Sequence, residues 1–506
     1  MVYELKSLIA ILSIAVAIFA LAKPVCAAFM LEEDFARRRN VWLTLTACAF
    51  LSPSFWIYAF FAVIAVVWSA RRDSNPAALY LMFYAVIPPV VVDLPAIGFN
   101  HFFTLSEARL LALVLLLPLA ARAFSINEDG RARRWTSVDL LLVSYLLLQV
   151  VLTMPYESIT NTMRRGFLFG LDILLPYYVF SRVITKRQAL TDAMAVLTLV
   201  GAIFAAIGVF EWLKGWLLYE YVGSSWGSPN IGAYMMRADS LRAQASAGHS
   251  LTYGYILTVA FAFWLHLRTY VASQWARWAT TGLLCIGIYV SHSRGPWLTA
   301  VIVYFTYLML AGGASGAAKG VFSGLVLMVL LSLTPVGGRI IELIPFIGSA
   351  EQGTVLYRQQ LAEESWRLVL QNPVFGDPFV LVHMDDLRST DGLVDLMNAY
   401  ATVALFCGLV GLSLFALFLL LSTAKAFMAV RGVRAFDPDL ASVGAALVAA
   451  MVGSLFFMAA ASIDWVEYVL AGLLCAYAAL ASSPAEVTTA APSRYRSPSP
   501  ASLRES

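Results

Sequence analysis

The stretch RRRNVWLTLTACAFLSPSFWIYAFFAVIAVVWSARR, residues 37–72, decides how the rest of the chain is read. Its apolar run, Val41 to Ser69, is too long for one bilayer crossing, which takes about 20 residues. Pro53 sits near the middle, and arginines close both ends. Basic flanks mark the cytoplasmic side, so both ends lie inside and the number of crossings between them is even. A helical hairpin turning at Ser52-Pro53-Ser54, with a short first arm, satisfies this.

Working outward, the composition agrees. Of the 506 residues, 60% are hydrophobic and 13% charged, about half the roughly 25% charge of a soluble domain. At about 20 residues per crossing the apolar residues allow at most about 15 spans. Mean hydropathy is +0.77. The expected fold class is an all-α polytopic membrane protein with about 12–15 transmembrane helices; a cytosolic enzyme, a secreted domain and a disordered chain are excluded. The net charge of +3 comes from 34 basic and 31 acidic side chains, so it points to no nucleic acid partner. Cys26, Cys48, Cys285, Cys407 and Cys475 are scattered in or beside apolar stretches. Without a C-x-x-C pair they read as buried small hydrophobes, and neither a disulfide framework nor a metal site is expected.

Tyr3 to Lys23 ends in Ala20-Leu21-Ala22, which resembles a signal-peptidase site, but Glu4 spoils the basic leader and many spans follow. It reads as an uncleaved first helix. Further spans are expected at 76–94, 105–121, 138–155, 166–184, 193–212, 251–267, 279–291, 296–312, 320–336, 398–421, 440–461 and 464–482. The connections this leaves inside are basic: Arg122 to Arg134, Arg182 to Arg187, Arg268 to Arg277, Lys319, and Lys425 to Arg434. Two outward loops are long, 213–250 and 337–397. The tail from Ser482 onward, rich in Ser, Pro and Ala, reads as a disordered cytoplasmic end. No repeat with a period of 20–50 residues is present.

Arginine on the outer side runs against the positive-inside bias and asks for a reason. The outward positions are Arg164, Arg165, Arg237, Arg242, Arg294, Arg339, Arg358, Arg367 and Arg388. Taken singly, most read as solvated loop charges. Arg294 does not, because Ser291-His292-Ser293-Arg294-Gly295-Pro296 is squeezed between two apolar spans. Pro296 suits the first helical position, and Ser293 or Gly295 can cap. A helix N-terminus beside a guanidinium makes an anion site. Arg242 can join Arg294 on a diphosphate, with Arg237 just upstream. His249, at the mouth of the next span, is either a proton acceptor or a helix-entry histidine bonded to backbone.

In the second outer loop Val355 to Leu370 reads as an interfacial helix ended by Asn372-Pro373. Tyr357, Leu361 and Leu368 share a face. Arg358 and Arg367 fall on opposite faces at about 100° per residue, and Glu363 can pair with Arg367. That leaves Arg358 for a ligand. His383, Asp385, Asp386, Asp391 and Asp395 follow; a carboxylate or imidazole here is either a general base toward a sugar hydroxyl or a solvated loop group. No D-x-D pair, zinc spacing, P-loop or nucleotide fingerprint occurs, so a nucleotide-fuelled cytoplasmic enzyme is not expected.

Three features together resemble the O-antigen ligase and O-antigen polymerase superfamily of bacterial envelope proteins. One is Ser-x-Ser-Arg-Gly before a span, Ser291 to Gly295, with Ser293 and Gly295 as motif residues. Another is an outer-loop helix with Arg358, Trp366 and Arg367, ending in Asn-Pro-x-Phe-Gly at 372–376. The third is Asn-x-Tyr, Asn398 to Tyr400, leading into a span with Gly408 and Gly411. Arg242 and Gly248-His249 fit more loosely. The likeness spans about 190–425, flanked by N-terminal helices (1–189), C-terminal helices (426–482) and the tail (483–506).

The resemblance implies a multi-span glycosyltransferase of the C type in the inner membrane, active on its periplasmic side, with no cofactor or obligatory metal. Such enzymes move a glycan from a polyprenyl-diphosphate-linked oligosaccharide to a glycan or lipid-linked acceptor, in company with other polysaccharide-assembly proteins. Arg294, Arg242, Arg358 and Arg237 would hold the departing diphosphate, where fixed cations stabilise developing charge. The ligases carry a histidine eleven residues before the glycine matched to Gly408; here that position is Met397. Asp395, His383 and His249, in that order, are the substitutes for its acid/base role. The departure favours a polymerase-like or otherwise specialised branch. The rival classes are a transporter or flippase of lipid-linked glycan and a non-catalytic scaffold of an envelope-synthesis complex.

Overall fold

A computed structural model describes residues 2–94, 103–125, 135–227, 233–237, 240–332, 352–384, 394, 396–462 and 465–483. Among the described residues the protein is all-α apart from two short antiparallel hairpins, in which Val91–Asp93 pairs with Thr104–Ser106 and Met236–Arg237 with Ser240–Leu241. Among the described residues, six helices are long and apolar enough to cross a membrane, as in a multi-pass membrane protein: Tyr3–Cys26, Arg187–Lys214, Ser250–Tyr270, Arg294–Gly312, Ala399–Val433 and Pro438–Phe457. Phe55–Ala70, Ser137–Thr153 and Val466–Ala481 are shorter apolar helices.

The most deeply buried are Ser250–Tyr270, Arg187–Lys214 and Pro438–Phe457. They approach closely because small residues meet: a Cβ on Gly201 would lie 2.4 Å from that of Ala260. Around this centre sit the hairpin Glu32–Leu51 and Phe55–Ala70, hinged at residues 52–54 as expected, and the first helix, packed on Glu32–Leu51 and Arg187–Lys214. The end of the bundle with Arg37, Arg38, Arg182, Arg187 and Arg268 is called the basic end below. The other, the loop end, carries residues 215–227, 240–249, 291–293, 352–384 and 396–398.

Several boundaries differ from the sequence reading. The span expected at 76–94 is a helix of only 8 residues, Pro76–Phe83, followed by irregular chain. Pro88-Pro89 forces the preceding backbone out of the helical region. Ala85, Val86, Ile87 and Val90 are nevertheless buried, so this non-helical backbone lies within protein rather than lipid. Arg38 is not a solvated flank: it is 1% exposed. Its guanidinium donates to Asp73 at 2.7 and 3.0 Å and to Asp192 at 2.7 and 3.0 Å, while Asn75 donates to Asp192 at 2.8 Å.

Spans 296–312 and 320–336 merge into one helical run, Arg294–Ser332. A Cβ on Gly320 would lie 3.4 Å from the Phe305 ring, whereas a straight helix would separate these residues by about 22 Å. The run therefore doubles back, and its first arm, Arg294–Gly312, is long and apolar enough to cross a membrane. Ala399–Val433 continues through the expected cytoplasmic segment 425–433. At about 1.5 Å per residue it would be about 52 Å long, against a hydrocarbon core of about 30 Å. Gly408, at φ 64° and ψ −169°, breaks it.

Residues 372–377 fill that break. Leu409 N donates to Pro373 O at 2.8 Å, Val410 N to Val374 O at 3.2 Å, and Asp377 N to Leu405 O at 2.8 Å. Gly376, at φ 67°, faces Gly408 so closely that a Cβ on it would lie 2.6 Å from Gly408 N. A small second core of Leu361, Leu368, Val369, Val380 and Leu405 fixes the outer-loop helix Gln352–Gln371 to this half-helix. Arg339, Arg388, Asp385, Asp386, Asp391, Asp395 and the tail beyond Ser483 lie outside the described residues.

Candidate functional site

The loop end is organised by Glu211, which is wholly buried near the end of Arg187–Lys214. Its carboxylate accepts from the backbone N–H of Leu218 (3.1 Å), Gln244 (3.0 Å) and Ala245 (2.9 Å). With Ala243 N donating to Val290 O at 3.0 Å, this places Arg242 over the turn at residues 291–295. Arg242 Nη2 donates to Ser293 Oγ at 2.7 Å and Nε to Ser291 O at 3.4 Å. Arg237 Nη1 donates to His292 O at 2.8 Å. Two loop arginines thus grip the turn, and Arg294 opens the next helix beneath them. The helix begins at Arg294 rather than at Pro296, so proline occupies its third position. That position still needs no intrahelical N–H partner.

The turn is strained. His292 has φ 45°, an unusual conformation for a residue with a side chain. Its ring is buried, 5.5 Å from the Tyr289 ring, and neither ring nitrogen has a hydrogen-bond partner among the described residues. Burial, then Arg242 and Arg237, lower its pKa. Held neutral in this way, the ring keeps one nitrogen lone pair and one N–H. Sequence reading passed over His292 because its neighbour Arg294 was the more conspicuous residue; its signal is a titratable group at an interspan turn.

His249 is the N-cap of Ser250–Leu267, and its Nδ1 accepts from Leu251 N at 3.1 Å. That places its proton on Nε2 and makes the outward-facing nitrogen a donor. Burial, then the Arg242 charge, lower its pKa to about 4. Asn398 caps Ala399–Val433, its Oδ1 accepting from Tyr400 N and Ala401 N. Tyr400 donates to Leu455 O at 2.7 Å, and Ala399 N to Met458 O at 2.9 Å. The same helix end reaches the turn, since a Cβ on Gly295 would lie 3.4 Å from the Phe457 ring. Residues 291–295, 398–400 and 455–458 therefore form one contiguous patch.

Arg358 Nη2 lies 3.2 Å from Met397 Sδ, which ties the outer-loop helix to that patch. Arg367 pairs with Glu364, not with Glu363, which instead accepts from Gln359. The i,i+3 partner suits the long arginine side chain as well as an i,i+4 one. Trp366 is exposed. His383 is exposed too, with Nε2 3.6 Å from Asp377 Oδ2. Asp395 lies outside the described residues.

A second polar locus escaped the sequence reading. Arg109 donates to Asp172 at 2.7–3.1 Å and to Thr104 O at 2.7 Å. Arg109 precedes one π-helical turn, Ala112–Leu116, and Asp172 lies within another, Gly170–Leu174, features frequent at functional sites. The ion pair lines a cavity of about 400 Å³ with Tyr80, Tyr84, Gln149 and Trp465. Its signal was available: charged residues inside the expected spans 105–121 and 166–184.

No protein-family model matches the chain, and no curated protein matches it.

Proposed function

We propose that the protein is a polysaccharide ligase- or polymerase-like glycosyltransferase of the bacterial inner membrane, with a C-type architecture of about 12–15 crossings. It transfers a polyprenyl-diphosphate-linked glycan to an acceptor sugar at the periplasmic face, in O-antigen, exopolysaccharide or capsule synthesis. One observation carries this reading: Arg237 and Arg242 converge on the turn from which Arg294 opens a helix. Guanidinium forks and free helix N–H groups match the oxygens of a leaving diphosphate. Arg358, one contact away through Met397, lies beside the same patch. The base toward the acceptor hydroxyl is Asp395 or His383, because His249 commits Nδ1 to its helix and both ring nitrogens of His292 are buried.

The test is transfer in vitro with purified lipid-linked oligosaccharide. Arg294→Ala lowers chain growth or attachment at least about a hundredfold, the scale of losing one transition-state donor, while the protein still inserts and unfolds like wild type. Wild-type rates in that variant would remove the centre of the site. A transport reading draws on the interrupted helix at Gly408, but its freed backbone groups are bonded to residues 373–377 rather than open to a solute. Translocation of the lipid-linked glycan across vesicles without transfer would favour it.

A further inference from the structure

We propose that the cavity beside Arg109 and Asp172 is a binding site for a neutral sugar ring, separate from the Arg294 turn and independent of the role assigned to that turn. The cavity, about 400 Å³, lies where Ser106 and Arg109, Gln149, Asp172 and Trp465 meet. That volume falls within the ordinary range for small-molecule sites, about 300–1,000 Å³, and admits a mono- or disaccharide.

Three features select the ligand class. The walls are aromatic: Tyr80, Tyr84, Tyr145, Trp465 and Tyr468 line the cavity. Tyr84 and Trp465 are packed at a centroid distance of 4.0 Å, with Tyr80 5.9 Å from Trp465. The negative face of an aromatic ring attracts the weakly positive C–H groups on one side of a pyranose. The polar groups suit hydroxyls. Asp172 spends its described hydrogen bonds on Arg109 alone and is partly exposed, so its carboxylate has lone pairs left for sugar O–H donors. The Gln149 side chain makes no hydrogen bond among the described residues, and its amide both donates and accepts, as a vicinal diol does.

The third feature is charge. Among the described residues Arg109 and Asp172 are the only charged ones that line the cavity, and they are paired with each other. Arg109 also donates to Thr104, through both the backbone carbonyl and the hydroxyl. The described lining therefore offers no net positive charge to favour a phosphate or a uronate over a neutral ring. The hairpin Val91–Asp93/Thr104–Ser106 and the π-turns hold this geometry: Ser106 caps the helix that presents Arg109, and the two π-turns pack on each other.

The experiment uses the full chain in lipid nanodiscs prepared without sugar-headed detergent, with saturation-transfer NMR as the readout. The probes are the methyl glycosides of glucose, galactose, mannose, rhamnose and N-acetylglucosamine, with glucuronate and inorganic phosphate as anionic comparators. At least one neutral glycoside binds saturably, phosphate does not compete, and Gln149→Leu and Tyr84→Leu each weaken binding about tenfold. Gln149→Leu removes no side-chain hydrogen bond among the described residues, so its thermal unfolding midpoint stays at the wild-type value and separates lost binding from lost fold. Binding of glycosides that is unchanged in both variants, competition by phosphate, or no saturation well beyond millimolar concentration overturns the proposal. Arg294→Ala leaves glycoside binding intact whatever its effect on transfer, so the two readings fail separately.

Discussion

The protein interrupts its helices in two different ways, and the contrast separates architecture from chemistry. At Gly408 the helix opens completely and the backbone of residues 373–377 fills the gap with main-chain hydrogen bonds. At Ala112–Leu116 and Gly170–Leu174 the chain stays helical but widens by a π-turn, and the side chains beside the widened turns face a cavity. The first interruption joins the outer-loop layer to the bundle. The second sets polar groups next to open space. An interruption closed by backbone is therefore a joint, and one bordered by polar side chains and a cavity is a candidate site.

The largest expected effect comes from attacking the joint. Gly408→Ala places a Cβ 2.2 Å from Val374 O at φ 64°, with Val374 C at 2.3 Å and Phe375 N at 2.5 Å. Backbone strain and a backbone clash combine to cost more than about 3 kcal/mol. Folded yield should collapse, as read by fluorescence-detected size exclusion and thermal unfolding. A stable, monodisperse Gly408→Ala protein would mean that residues 373–377 do not fill the break.

An intermediate effect is expected from pH at the loop end, where neither kind of interruption is involved. His249 and His292 are both held below the ordinary imidazole range, His249 at about 4, by burial first and then by neighbouring arginines. The unfolded chain protonates near 6.5, so between about pH 6.5 and 4 it binds more protons than the folded one. Stability is therefore full above that window and falls as pH drops through it. His249→Asn keeps a capping acceptor and removes one titration, so its unfolding midpoint should decline less steeply with acid. An identical slope would rule out His249 as a coupled group.

The smallest effect belongs to the π-turn. A Cβ on Gly170 would meet nothing within 4 Å, and its φ is not positive. Gly170→Ala should leave the protein as stable as wild type or up to about 1 kcal/mol more so, through helix propensity alone. Marked destabilisation would show that the widened turn is held as tightly as the joint and would erase the distinction.

Much of the loop end was legible in the sequence. Ser291 to Pro296 announced a tight interspan turn, and Asn372-Pro373 announced the end of the outer-loop helix, because caps, prolines and apolar spacing are local signals. Tyr357, Leu361 and Leu368 do face one core. Two of the resembling motifs prove to have a plain packing use: Asn398 caps its helix, and the glycines at 376 and 408 let two backbones touch. Arg109 and Asp172 were not singled out. They are 63 residues apart, and a lone charge within an apolar stretch does not reveal its partner.

What the chain alone determined is its solvent and its periodic layout. The excess of apolar residues and the basic clusters between them dictate helices in a membrane, since each backbone amide must be satisfied within its own segment. What only the tertiary structure decided is where charge is buried and where space remains. Arg38 reads as a surface flank until Asp73 and Asp192 are seen around it, and Glu211 reads as a helix-end acid until three backbone amides converge on it. Burial and pairing depend on residues distant in sequence, and the electrostatic cost of a charge is set by those neighbours rather than by its own segment.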